Sequence, residues 1–170
     1  MQPFRCQICG ETYLGKEPSD RCPYCGADGK NLLSPAEYLD YGEIEMSQQS
    51  REDCERALEL EMNNTAFYQK CAANAENQIS KSIFKRLGKQ ESEHAELLAD
   101  MMGIEEGDLP QVDIPDNDPD RFVEAHEHEQ MAINFYLEVA QRAPEKRVQQ
   151  VFRALSEIEL NHLNMSNIYK

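Results

Sequence analysis

Apolar and polar residues in the stretch 47–170 follow the three-to-four-residue period of amphipathic helices. The pattern predicts four helices, at about 48–74, 80–102, 118–143 and 145–169. Ser47 is the expected N-cap of the first helix, Gly103 the C-cap of the second, and Asp118, followed by Pro119, the N-cap of the third. The connections are short, long and short in turn, which indicates a mainly α protein with a four-helix bundle and one long crossover connection.

Residues 1–34 have a different character, because they are rich in Cys, Gly and Pro and show no helical period. A segment this short buries too little to fold alone, so a bound metal is expected to hold it together. Residues 35–46 are predicted to form a linker or a short docking helix. The expected organisation is a small β-rich metal module at 1–34, a linker at 35–46 and a helical domain at 47–170.

The helical domain contains an internal repeat, because residues 57–98 reappear as residues 125–166 at a constant displacement of 68. In each half a lone Glu precedes a Glu-x-x-His motif by 30 residues. The matched residues are Glu61, Glu91 and His94 in the first half and Glu129, Glu159 and His162 in the second. A single Glu-x-x-His motif in an acidic helical protein is commonly solvated. Six matched residues favour a metal site, since four buried carboxylates without metal would repel one another.

The ligand types in this repeat indicate which metal it holds. Residues three apart on a helix share a face, so the Glu and His of each motif can reach the same ion. Two such motifs and two further Glu, on four inward-facing helices, form the ligand set of two iron or manganese ions in a bundle core. Carboxylates with one nitrogen per ion suit these metals better than a structural zinc site does, and an open position would admit dioxygen or a peroxide. The sequence thus predicts a di-iron centre, with manganese or zinc as possible substitutes.

Three further residues are candidates for catalytic roles beside this centre. Tyr68 and Tyr136 each follow a lone Glu by seven residues, so each hydroxyl is expected to donate to a carboxylate on a neighbouring helix and orient it. His126 lies three residues before Glu129 and is expected on the ligand face, as a conditional ligand or a proton donor to peroxide. His128 points about 100° away and is expected at the surface.

The N-terminal segment carries two Cys-x-x-Cys-Gly motifs separated by 12 residues. Each motif turns both sulfurs toward one ion, and the Gly relieves the tight backbone, so that a tetrahedral four-thiolate site is predicted. Its ligands are Cys6, Cys9, Cys22 and Cys25. With zinc the module would be a structural ribbon or a binding platform, and with iron it would be a one-electron carrier.

Charge and hydropathy restrict the partners and the location. The formal net charge of −15 argues against nucleic acid or an anionic membrane surface as a partner. No apolar run approaches the roughly 18–20 residues that span a bilayer, and no signal-peptide pattern is visible. A cytoplasmic location is the resulting expectation. There, cysteines are more often metal ligands or free thiols than disulfides, and Cys54 and Cys71 are expected to be small buried thiols.

The combination of four-cysteine module and duplicated carboxylate and histidine motifs resembles the rubrerythrins. With the module first, it is similar to the reverse rubrerythrin branch, in which a rubredoxin-like domain precedes a ferritin-like domain. The resemblance implies that the four cysteines match the family's rubredoxin-type iron ligands and the six repeat residues its di-iron ligands. Family members are non-haem peroxidases, commonly homodimers in which one subunit's rubredoxin-like iron lies near the other's di-iron site. An NAD(P)H-dependent rubredoxin reductase is the kind of electron donor this implies.

The sequence departs from the family on the third helix. Rubrerythrins usually carry an extra Glu one turn from the main ligand, which exchanges with a His when the iron changes oxidation state. Here the positions one turn from Glu129 are His126 and Ala132, so His126 is the candidate to stand in for it. The leading hypothesis is a peroxidase that reduces hydrogen peroxide to water with electrons from the rubredoxin-type iron. The alternatives are an iron-storage or sensing protein with a zinc ribbon, and a di-iron oxidase that uses dioxygen.

Overall fold

All four predicted helices are present in the computed structural model of the chain, which describes residues 1–170. They are α1, Gln48–Ala73; α2, Gln78–Met102; α3, Asp118–Arg142; and α4, Lys146–Tyr169. α1 packs closely against α2 and α3 against α4, while the two pairs approach each other along α1 and α3. The extended segment 103–117 makes the long crossover between the pairs. The predicted mainly α fold, a ferritin-like four-helix bundle behind a small β module, is confirmed.

Side-chain N-caps begin α1, α2 and α3, and one of them differs from the prediction. The side chain of Ser47 accepts a hydrogen bond from the amide of Ser50, and Gly103 ends α2 in the left-handed conformation (φ +65°), both as expected. The N-cap of α3 is Asn117, which accepts from the amide of Asp120, so the assignment of Asp118 as the cap was wrong. Asp118 instead binds the guanidinium of Arg121 at 2.7 Å.

The N-terminal module is built on a three-stranded antiparallel sheet. Its strands are β1, Gln2–Cys6; β2, Thr12–Gly15; and β3, Leu32–Leu33, in the order β2-β1-β3. Phe4 lies opposite Tyr13 in the register of β1 and β2, and their rings stack with centroids 6.5 Å apart. A short 3-10 helix at Gly29–Asn31 leads into β3.

The module packs directly on the bundle. Phe4, Ile8 and Leu32 of the module belong to the same buried apolar cluster as Leu97 and Met101 of α2. Residues 35–46 form no helix. The side-chain amide of Gln7 holds it by exchanging two hydrogen bonds with the backbone of Leu39. No helix of the chain is both long enough and apolar enough to cross a bilayer.

Candidate metal centres

The four cysteine sulfurs form a compact cluster at one end of the module. The Sγ atoms of Cys6 and Cys25 are 3.8 Å apart, as are those of Cys9 and Cys22. All four lie within 4.8 Å of one another. Sulfurs bound tetrahedrally to one metal, with bonds of about 2.3 Å, are separated by about 3.8 Å. The cluster therefore has the dimensions of a mononuclear four-thiolate site, and no disulfide bridges it.

The turn geometry explains the Gly that follows each pair of cysteines. Gly10 and Gly26 have φ of +83° and +84°, a conformation that favours glycine. Their amides donate to the carbonyls of Cys6 and Cys22, which closes each turn. Hydrogen bonds among the four thiols hold the pKa of Cys22 well below its usual range and the pKa values of Cys9 and Cys25 well above it. A metal ion would bind all four sulfurs as thiolates.

The second cluster lies in the bundle core and draws on all four helices. Glu61 comes from α1, Glu91 and His94 from α2, Glu129 from α3, and Glu159 and His162 from α4. The ligand atoms form two overlapping groups, one with Glu61 and His94 and the other with Glu129 and His162. Glu91 and Glu159 belong to both groups. Two shared carboxylates flanked by two separate carboxylate and imidazole pairs can hold two ions side by side, with the shared pair as bridges.

Each histidine turns Nδ1 toward this cluster and Nε2 away from it. Nδ1 of His94 lies 3.2 Å from a Glu159 oxygen, and Nδ1 of His162 lies 2.9 Å from oxygens of both Glu91 and Glu159. The outer nitrogens have different partners: the carbonyl oxygen of Cys25 for His94, at 2.8 Å, and Oε1 of Gln90 for His162, at 2.7 Å. Acceptors at Nε2 fix that nitrogen as the protonated one and leave Nδ1 free to bind metal.

The carboxylates of this cluster have oxygens with no hydrogen-bond partner. Oε2 of Glu91 and Oε2 of Glu129 are buried without a hydrogen-bond partner, and the oxygens of Glu91 and Glu159 nearest to the imidazoles make ion-pair contacts but no hydrogen bond. Burial and the neighbouring Glu159 carboxylate raise the pKa of Glu91 and of Glu129 well above its ordinary value. Burial opposes protonation of His94, but the carboxylates of Glu61 and Glu159 outweigh it and raise its pKa. Without metal the core must therefore bind protons to offset its charge, and divalent cations would replace them.

Tyr68 and Tyr136 link the two helix pairs at this cluster. The hydroxyl of Tyr68, on α1, donates to Glu129 on α3, and the hydroxyl of Tyr136, on α3, donates to Glu61 on α1. The pKa of each phenol lies well above its ordinary value. Burial is the larger cause, and the charge of the contacted carboxylate is the next. Both hydroxyls therefore keep their protons at neutral pH, and each restrains one carboxylate of the cluster.

Comparison with known proteins agrees with this two-centre architecture. Residues 4–31 match the family model of the rubrerythrin, rubredoxin-like domain, and residues 54–167 match that of the ferritin-like domain. The chain belongs to the rubrerythrin family. It is 24% identical over 114 residues to reverse rubrerythrin-1 of Clostridium acetobutylicum, a match that spans 61% of this chain and 63% of the relative's length.

The family assignment and the geometry agree on the cofactors. The four-cysteine cluster fits the single iron of a rubredoxin-like site, and the carboxylate and histidine cluster fits the di-iron centre of a ferritin-like domain. The buried oxygens of Glu91 and Glu129 that lack a hydrogen-bond partner support this fit independently, since buried charges require pairing or metal coordination. The predicted cofactors are thereby confirmed.

The two centres of this rubrerythrin meet within one chain. Besides the hydrogen bond between His94 and Cys25, each cysteine turn is held by an arginine of the bundle. Arg147 of α4 donates to the carbonyls of Gln7 and Ile8, at 2.7 and 3.0 Å, and Arg86 of α2 donates to the carbonyl of Pro23. The module therefore contacts its own bundle at both cysteine turns.

His126 belongs to neither ligand group and, unlike Tyr68 and Tyr136, makes no hydrogen bond to a ligand. It is half-buried, and its Nδ1 lies 3.4 Å from the hydroxyl of Ser166 on α4. His128, which the sequence placed at the surface, is only one-third exposed (33% of its side chain). It packs edge-on against Phe67 with ring centroids 4.9 Å apart, and both side chains line a cavity of about 430 Å³ at the seam between α1 and α3.

Two groups of functional interest were missed by the sequence reasoning. Gln90 carries no motif, although its place directly before Glu91 was visible, and the main-chain oxygen of Cys25 has no sequence signal beyond the cysteine itself. The expectation that Cys54 and Cys71 are small buried thiols is confirmed, and burial raises the pKa of each thiol to about 12.

Proposed function

We propose that this rubrerythrin is a non-haem di-iron peroxidase that reduces hydrogen peroxide to water and so protects the cell against oxidative stress. The observation that carries the proposal is the 2.8 Å contact between Nε2 of His94 and the carbonyl oxygen of Cys25. It joins a residue of the four-cysteine cluster to a residue of the carboxylate cluster through a single hydrogen bond. A one-electron site and a two-electron site placed in such contact suit the reduction of a two-electron oxidant.

The stoichiometry of the reaction fits the two centres. One peroxide, two electrons and two protons give two waters. When bound, the di-iron pair supplies two electrons together, and the four-cysteine iron restores them one at a time. The chain's own contribution is the short route between the centres, from the Cys25 main chain across the hydrogen bond into the His94 ring.

The protein side chains around the cluster would orient the ligands and hold protons. Tyr68 and Tyr136 hold Glu129 and Glu61 in place, and each keeps a proton on its hydroxyl at the edge of the cluster. Complete burial of Glu61, Glu129 and both tyrosines excludes bulk water, which strengthens these contacts. We propose His126 as a further proton donor, although its only hydrogen-bond partner is Ser166.

The reductant would approach the module at Cys9. This thiol is half-buried, whereas Cys6, Cys22 and Cys25 are buried, so the sulfur cluster is most accessible there. We propose an electron donor such as an NAD(P)H-dependent rubredoxin reductase. A homodimer is proposed from the family resemblance alone, and the contact between the two centres within one chain does not depend on it.

The proposal is tested by anaerobic mixing of the fully reduced, iron-loaded protein with one equivalent of hydrogen peroxide. We expect oxidation of the di-iron centre within seconds, followed by the red colour of a ferric four-thiolate site. A di-iron centre that stays reduced for minutes would refute the peroxidase. Faster oxidation by dioxygen than by peroxide would indicate the oxidase instead, and a colourless iron-reconstituted module would indicate a zinc ribbon.

A control is needed because free thiols also consume peroxide. Cys54 and Cys71 lie outside both clusters and are fully buried. The C54A/C71A double variant therefore removes thiol oxidation without touching either centre. Its peroxide consumption should equal that of the unmodified protein, and a large decrease would show that thiols had carried the apparent activity.

A further inference from the structure

The internal repeat is broken at the outer nitrogens of the two histidines. His162 has a side-chain acceptor, Oε1 of Gln90, which directly precedes Glu91. The equivalent of Gln90 in the second half, 68 residues later, is Ile158. Ile158 has no hydrogen-bonding group, so it cannot do for His94 what Gln90 does for His162. The carbonyl oxygen of Cys25 fills this role.

The second cysteine turn lies between these two equivalent positions. A methyl group added at Gly26 would come within 2.9 Å of Oε1 of Gln90 and 3.3 Å of Cγ2 of Ile158. The turn thus contacts α2 through Gln90 and α4 through Ile158. An apolar residue at 158 leaves Nε2 of His94 open to the main chain of Cys25, and a glycine at 26 lets that main chain approach.

We infer that Gln90 and the Cys25 carbonyl are the two positioning groups of the dinuclear centre, and that the docked module replaces the acceptor which the repeat lacks at Ile158. The centre consequently has two unequal halves. The half that contains His162 is supported from within the bundle, by Gln90. The half that contains His94 is supported by the module, so its metal affinity depends on how the Cys25–Gly26 turn is docked. This inference requires the two metal centres but not the peroxidase reaction.

Two glycine variants make a matched pair for the test. Gly10 and Gly26 have almost the same φ, +83° and +84°, so alanine strains both turns alike. At Gly10 the added methyl would meet only the hydroxyl of Tyr38, at 3.4 Å, whereas at Gly26 it would press on Gln90 and Ile158. G26A should displace the amide end of Gln90, the flexible group nearest to the methyl, and through Ile158 the turn itself, whereas G10A should disturb neither.

The measurement is a Co²⁺ titration of the full chain, in which thiolate charge-transfer bands report the module and the weaker d–d bands report the bundle. We expect G26A to lower the affinity for at least one of the two Co²⁺ ions bound in the bundle by about 10–100-fold. This is the usual effect of losing a hydrogen-bond partner of a ligating histidine. G10A should leave both bundle equivalents unchanged. Adding Ile158→Gln to G26A should restore the Co²⁺ affinity of the half that contains His94, because the new side chain supplies the missing acceptor. Equal effects of G26A and G10A, or no rescue by Ile158→Gln, would overturn the inference.

A second readout stays informative if G26A folds poorly. In the Zn²⁺-loaded protein with ¹⁵N-labelled histidine, His94 and His162 should both show a protonated Nε2 that exchanges slowly with solvent. Gln90→Leu should accelerate exchange at His162 alone and weaken one bundle equivalent, with the module bands unchanged. A rapidly exchanging Nε2 on His94 in the unmodified protein would also overturn the inference.

Discussion

The hydroxyl of Tyr136 on α3 donates a hydrogen bond to the carboxylate of Glu61 on α1, and so joins the two helix pairs. The repeat gives the same bond between Tyr68 and Glu129. Replacing either tyrosine with phenylalanine leaves a buried carboxylate without its donor, which costs about 1–3 kcal/mol. We expect Y68F and Y136F to lower the free energy of unfolding by that amount, as measured by urea denaturation of the metal-free protein.

Tyr24 provides the control for these variants. Its hydroxyl donates to the carbonyl of Thr12, but this bond is exposed to water. Y24F should change the free energy of unfolding by no more than about 0.5 kcal/mol. Similar losses in all three variants would show that the bonds to Glu61 and Glu129 have no special weight.

The metal-free protein should lose stability as the pH rises. Burial, reinforced by neighbouring carboxylates, raises the folded-state pKa of Glu91 and Glu129 above the ordinary value of 4.5. A group of this kind stabilises the fold fully below its unfolded pKa, and its contribution disappears as the pH rises through its folded pKa. His94 acts in the same direction, since its pKa is also raised, above 6.5. Glu159 has a lowered pKa, so its contribution to stability has the opposite pH dependence. That contribution changes only below about pH 4.5, its ordinary pKa.

Thermal unfolding of the chelated protein at pH 5 and pH 8 tests this dependence. We expect a lower Tm at pH 8, and the reverse order after metal loading, because the ligands must be deprotonated to bind. E93Q is the control, since burial and the nearby Glu11 raise the pKa of Glu93 to about 7 without placing it in the cluster. If E93Q abolishes the dependence, the cluster is not its source.

Arg147 should hold the module on the bundle. It donates to the carbonyls of Gln7 and Ile8, and its guanidinium lies 4.6 Å from the ring centre of Tyr41. Lysine cannot reproduce this two-pronged contact, so R147K should loosen docking by about 1–3 kcal/mol. Hydrogen exchange in residues 35–46 should accelerate accordingly, whereas R153K, at an exposed position on the same helix, should behave like the unmodified protein. Unchanged exchange in R147K would contradict this role.

His126 should affect turnover without affecting metal content. It lies outside both ligand groups, so H126A should still bind two metal ions in the bundle. If it donates a proton during peroxide reduction, the rate should fall by about 100-fold or more. H128A is the control, because His128 lies on the same helix as His126 but packs against Phe67 of α1. Full turnover in H126A would remove His126 from the mechanism, and loss of an ion would make it a ligand.

Much of the fold and the metal clusters could be predicted because each depends on periodic or duplicated side chains. The constant displacement of 68 residues links Glu61 to Glu129 and His94 to His162 from the sequence alone. The cap of α3 was misplaced by one residue because Asn117 and Asp118 are both good caps, and the pairing of Asp118 with Arg121 decides between them.

The docking of the module could not be predicted, for a physical reason. It depends on main-chain oxygens, those of Gln7, Ile8 and Cys25, and every residue has such an oxygen. Their partners become identifiable only when the fold brings Arg147 and His94 to them. The helical pattern could not predict the contact of His126 either, because its neighbour Ser166 lies on another helix.

The duplicated bundle presents two nearly equivalent docking positions for a single module. Exchanging one for the other would exchange Gln90 with Ile158, its equivalent in the repeat. A methyl group at Gly26 would meet both positions, so the second cysteine turn lies between them. One amide and one aliphatic side chain at equivalent positions then distinguish the two orientations, beside the contacts that Arg147 and Arg86 make. This difference gives a duplicated scaffold a direction, in which His94 faces the four-cysteine cluster through Cys25 and His162 faces Gln90 instead.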